Sequence, residues 1–246
     1  MKFKPQYIMK TKLKLFVIFL LSWNFIQAQD SKKYVYPNFG EWKQMKTHQE
    51  KINLFLIPKD KLASMTSPEL LQAYVDYPLL FDFYAYNDME QGWRSMSKQC
   101  NSLAELLLRK DCAITLLDYY SKNGLPDVES SSKSAKSYFK IRAIEIALGS
   151  KESMQYMNTE DGKKVVKAML NVLKYKQKDT NSYSVLDTSV LTTTGGRIVK
   201  NFSKEKIANL SSKNKDGIMI GIEKGLALDN ESFDELLVIM NEFASN

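Results

Sequence analysis

His48 is the single histidine of the 246-residue chain, and that limits the chemistry available. A Ser-His-Asp or Cys-His arrangement would have to use it, and no Gly-x-Ser-x-Gly elbow accompanies it. No second histidine exists to complete a zinc site, so no metal is expected. His48 follows Thr47 and shortly precedes Glu50, a helix-start pattern in which it reads as a solvent-facing residue. Gly217, Gly221 and Gly225 are spaced four apart but lack the strand–turn–helix setting of a dinucleotide site. Neither a Gly-x-x-x-x-Gly-Lys loop nor a calcium loop occurs, and no cofactor is expected.

Carboxylates are the remaining catalytic means. Asp76, Asp82 and Asp88 recur through an aromatic stretch holding Tyr74, Tyr77, Phe81, Phe83, Tyr84, Tyr86 and Trp93. Two acids beside stacked rings would suit glycoside cleavage. Spacing does not bring any two of them face to face. Tyr74, Tyr77, Phe81 and Tyr84 also recur at helical intervals, which is the pattern of a core stripe. Core packing is the preferred reading, and no catalytic residue is assigned. Tyr84, Tyr86 and Trp93 stand as the candidate ligand or partner surface.

Cys100 and Cys112 are the other reactive side chains. On one continuous helix they would stand about 18 Å apart along the axis, too far to bond. A turn between them would permit a disulfide. Both a bridge and two buried free thiols stay open.

The elements that must position these residues read as helices. Thr47-His48-Gln49-Glu50 has the capping-box form, and its helix should end before Pro58. A short helix over 59–64 follows, and Thr66-Ser67-Pro68-Glu69 opens one that runs to about Asp76. Further starts stand at Pro78, Asn87-Asp88, Ser102 and Asp111, the last helix stopping at Asn123-Gly124. The serine-rich stretch 127–136 reads as a loop. Helices are expected over 133–148, with Tyr138, Ile141, Ile144, Ala147 and Leu148 on one face, and over about 160–176. Residues 177–196 are rich in Ser and Thr, with Gly195-Gly196 interrupting them, and partial helix is expected there. Gly217–Ile222 is balanced between strand and helix. Ser232-Phe233-Asp234-Glu235 reads as the box opening the terminal helix.

The N-terminus reads as an address. Lys10, Lys12 and Lys14 precede the apolar run Leu15–Leu21, and Ile26-Gln27-Ala28 supplies a small residue for cleavage after Ala28. The apolar run is shorter than the roughly 20 residues a bilayer crossing needs. Met9 begins a better-proportioned leader than Met1. The formal charge is +7, but residues 1–28 hold five lysines and no acid, so the rest carries 30 basic and 28 acidic residues. That near-balance removes the electrostatic case for a nucleic-acid partner.

These signals predict an all-α protein, an irregular helical bundle or a HEAT-like α-solenoid of short antiparallel helices. The expected organisation is a signal peptide at 1–28, an irregular lead-in at 29–46 and a single helical domain at 47–246. Ile57-Pro58 and Met65–Leu71, then Asp76–Asp82, Tyr86-Asn87-Asp88 and Glu105–Asp111, resemble a group of exported, uncharacterised helical proteins of Bacteroidetes-type bacteria. That resemblance covers about residues 57–111 and implies an exported all-helical protein without implying any catalytic residue. The function expected is a non-enzymatic binding or scaffold protein of the cell envelope, periplasmic or extracellular, with a protein or glycan partner and no membrane span in the mature chain. The alternative is a carboxylate-dependent hydrolase acting on glycans or peptides.

Overall fold

The computed structural model describes residues 33–125, 135–179 and 183–245. The chain divides into Met1–Tyr34 and Val35–Asn246, and all of the helices named below belong to the second unit. The expected leader, its cleavage at Ala28 and most of the serine-rich loop lie outside the described residues. Among the described residues there are fourteen α-helices, one 3₁₀ helix and no strand, so the all-α class holds.

Two of the early helices begin where side-chain caps dictate. A four-residue helix, α1 (Phe39–Trp42), falls inside the expected lead-in. Thr47 caps α2 (His48–Leu54) and Thr66 caps α4 (Ser67–Val75), each by a reciprocal box with the Glu three positions on. Between them lies α3 (Lys59–Ser64). The expected helix after Pro78 is instead the 3₁₀ helix Leu80–Ala85. Because α4 stops at Val75, the Tyr74–Tyr84 stripe is not one face of one helix. Tyr74 and Tyr77 are buried, but Phe81 is 47% exposed.

Asp88 caps α5 (Met89–Gln99) by accepting from the Gln91 backbone N–H at 2.7 Å. Then come α6 (Asn101–Leu106), α7 (Cys112–Asn123), α8 (Ala135–Leu148), α9 (Lys151–Met154) and α10 (Thr159–Lys178). From Ala143 to Ser150, α8 and its end are buried all round, so this is a central helix rather than the one-faced helix expected.

The partial helix expected over 177–196 is present and extends beyond that range: α11 (Val185–Phe202) runs as one continuous helix through Gly195-Gly196. Thr192, Thr193 and Thr194 donate their hydroxyls to the Thr188 and Val190 carbonyls of their own helix. The side chains thus satisfy themselves and can be buried. A Cβ on Gly196 would crowd Leu236 and Ile222, so the glycines admit neighbouring helices rather than end this one. Around α11 pack α8, α10, α12 (Lys204–Ala208), α13 (Lys215–Lys224) and α14 (Asn230–Ser245).

The Gly217–Ile222 ambiguity resolves as helix, with Gly225 at φ 68° closing α13 in the left-handed cap conformation. Asp229, not Ser232, opens α14: its carboxylate accepts from the Ser232 N–H at 2.8 Å, and Ser232 is buried one turn in. Helices far apart in sequence meet, as α5 does with α13. Nearest-neighbour stacking, the mark of a solenoid, does not describe that contact, and the architecture is a helical bundle.

Candidate functional site

The sequence-derived candidates do not gather into one surface. Tyr84 lies edge-on to Phe83 and Phe139, with the Arg142 guanidinium 5.5 Å from its ring centre. Burial pushes its hydroxyl up to about 12, while Arg142 draws it back. Tyr86 is half exposed and shares a hydrogen bond with Ser95. Trp93 is 2% exposed and directs its indole N–H toward Glu152 Oε2 at 3.4 Å.

The three acids serve three different partners. Asp76 accepts from Lys140 at 2.5 Å and from Gln72 at 2.6 Å. Asp82 lies 3.3 Å from His48 Nε2, and partial burial raises its pKa against the pull of His48 and Lys51. Asp88 is the cap of α5.

Cys100 and Cys112 are both free and buried. The chain does turn between them, through α6, yet they remain thiols. Burial pushes Cys100 up to about 11 and Cys112 up to about 12, so neither is a ready nucleophile. Among the described residues no group of three or more His, Cys, Asp or Glu could hold a metal.

Sequence reading missed a buried ion network on α8. Arg142 pairs with Asp187, their side chains 4% and 6% exposed, and the Arg142 guanidinium also lies over the Tyr138 ring at 5.2 Å. One turn on, Glu145 accepts from Lys176 at 2.8 and 3.1 Å and from the Tyr120 hydroxyl at 3.1 Å. Each charge has a countercharge, which is what burial demands. Asp187 also accepts from Ser184, closing the capping box of α11. The one available signal was Arg142 and Glu145 inside the otherwise apolar run Ile141–Leu148.

It also missed a concave feature. A cleft of about 650 Å³ opens between α5, α9, the end of α11, α12 and α13. That volume is in the range of small-molecule sites. Trp93, Met154, Ile207 and Ile222 are buried beneath it. Its walls carry the basic residues Arg94, Lys151, Arg197, Lys200, Lys204 and Lys215 against the acidic Glu90, Glu152 and Glu223.

Arg197 organises this cleft. Its Nε donates to the Ile222 carbonyl at 2.9 Å and its terminal nitrogen to the Glu223 carbonyl at 3.2 Å. These are carbonyls of the last turn of α13, left without intrahelical partners and at the negative end of the helix dipole. The same guanidinium reaches Glu90 of α5 at 3.4 Å and so ties two walls together. Burial lowers its pKa, and Glu90, Glu152 and Glu223 oppose that shift. Lys200 binds Glu223 at 2.9 Å and holds it below its ordinary carboxylate range, with Lys151 and Arg197 adding to the effect. Only Trp93 of the sequence-derived residues lies in this cleft.

The chain matches no protein-family model, no curated protein and no solved structure. Among the described residues no helix is long and apolar enough to cross a membrane.

Proposed function

We propose that this chain is an exported, non-enzymatic binding protein of the bacterial envelope, and that the cleft framed by Arg197 holds its partner. The cleft carries the proposal. It is a cavity of small-molecule size in which basic residues outnumber acidic ones, above a packed apolar floor. The dispersal of Asp76, Asp82 and Asp88 among Lys140, His48 and a helix cap favours binding over the hydrolase alternative. Export rests on the leader pattern of residues 10–28 and on the resemblance to exported helical proteins.

A thermal-shift screen of the chain lacking residues 1–28, against small organic acids, glycans and acidic peptides, tests the binding role. A bound ligand raises the melting temperature by mass action. Fusing residues 1–46 to a reporter active only outside the cytoplasm tests export. A blank screen across all three ligand classes, or robust turnover of a glycan or peptide, overturns the proposal.

A further inference from the structure

Resting on that binding role, we infer that the cleft selects an organic anion with an apolar body, a carboxylate or phosphate on a short hydrocarbon, rather than a glycan or a protein segment. The acids of the cleft are already engaged, and three of its cations are not. Glu90 is held by Arg94 at 3.2 Å and by Arg197, Glu223 by Lys200, and Glu152 by the Trp93 indole. Among the described residues Lys151, Lys204 and Lys215 make no ion pair, and Lys215 reaches only the Ala208 carbonyl at 3.5 Å. Six cations against three acids leave the lining with three positive charges in excess, Lys151 acting on Glu223 without pairing with it.

Lys215 also opens α13, the end of a helix at which a positive charge is least favoured. Asp216 in the same first turn supplies one negative charge to that helix end, and an anion seated in the cleft would supply another. The floor argues against sugar. Glycan sites stack rings on exposed aromatic faces, and the aromatic ring of this cleft, Trp93, is buried with its edge already bonded. Beneath the lysines lie thioether and branched aliphatic groups, Met154, Ile207 and Ile222, with Met219 half-buried among them. Met219 and the exposed Ala208 carry the accessible apolar surface above them, a face that suits a short hydrocarbon, and the volume matches a small ligand rather than a protein interface.

Isothermal calorimetry on the chain lacking residues 1–28 separates the outcomes. Octanoate and octyltrimethylammonium share a tail and differ in charge. Octanoate is expected to bind at one site per chain, and the cationic probe is not. K151E/K204E/K215E, at exposed or half-exposed positions, should weaken octanoate at least about tenfold while leaving the helical circular dichroism unchanged. Raising salt from about 0.05 to about 0.5 M should weaken it too, an arm that needs no variant. Equal affinity for both probes, or octanoate binding indifferent to the lysines and to salt, overturns the choice of an anion and leaves the cleft as a binding site. Binding of neither probe removes this inference, whereas the binding role itself falls on a blank result in the wider screen or on robust turnover.

Discussion

Glu145 shows how a single charge is made tolerable in this core. It is fully buried, and its carboxylate is surrounded by the Lys176 ammonium and the Tyr120 hydroxyl. Lys176→Met would leave that carboxylate unpaired and should destabilise the protein by about 3–5 kcal/mol in urea unfolding. The double change K176M/E145L should recover most of the loss, because two apolar groups of similar size need no countercharge. Recovery of none of it would mean that the pair does more than cancel its own burial.

A surface acid sets a pH effect of the opposite origin. Glu235 accepts from the Ser211 N–H at 2.5 Å and from the Ser211 hydroxyl and Asn214 amide, bonds that lower its pKa from 4.5. A lowered acid contributes stability above its unfolded pKa and loses it as pH falls through the folded value. The melting temperature should therefore drop on going from about pH 5 to about pH 3. In E235Q the drop should be smaller, and an equal drop would place the acid sensitivity elsewhere. Asp229 and Glu223, likewise lowered, account for part of what remains.

Between elements, the glycines set the approach distances. A Cβ on Gly92 would fall inside contact distance of the Phe83 backbone carbonyl, so α5 rests directly against the 3₁₀ helix. Alanine is the better helix former by about 1 kcal/mol, yet Gly92→Ala should destabilise by roughly 1–3 kcal/mol because a backbone atom has nowhere to go. Stabilisation on urea unfolding would show that the contact relaxes freely. Gly225 is held at positive φ and packed on Met89, where α13 meets α5. The helix starts at Thr47, Thr66 and Asp88 were legible because a cap is a local bond between neighbours in the chain. The passage of α11 through Gly195-Gly196 was not, because the gain from a glycine there lies in Met240, Leu236 and Ile222, which come from other helices.

Within Val35–Asn246, α8 and α11 hold the helices up to α7, the N-terminal half, to those from α10 onward, the C-terminal half. On one side α8 packs on α7 and α4, on the other on α11, which in turn gathers α10, α13 and α14. With its charges tied to both neighbours, α8 cannot leave one half without stranding ions in the other. In the chain lacking residues 1–28, and with them Trp23, unfolding followed by the emission of Trp42 and Trp93, both carried by N-terminal elements, should coincide with unfolding followed by helical circular dichroism. Separate transitions would mean that the halves are independent units.

What the sequence by itself determined is the helical class, most of the helix starts and the single histidine that narrows the chemistry. These depend on periodicity, local caps and residue counts, which neighbours in the chain suffice to express. Which helix lies at the centre, the pairing of Arg142 with Asp187 and of Lys176 with Glu145, and the meeting of Arg197 with the end of α13 were decided only by the tertiary structure. Each joins groups more than twenty residues apart, and no periodicity or local cap encodes a contact between separate helices. The cleft belongs with them, because it is shaped by five helices and owned by none.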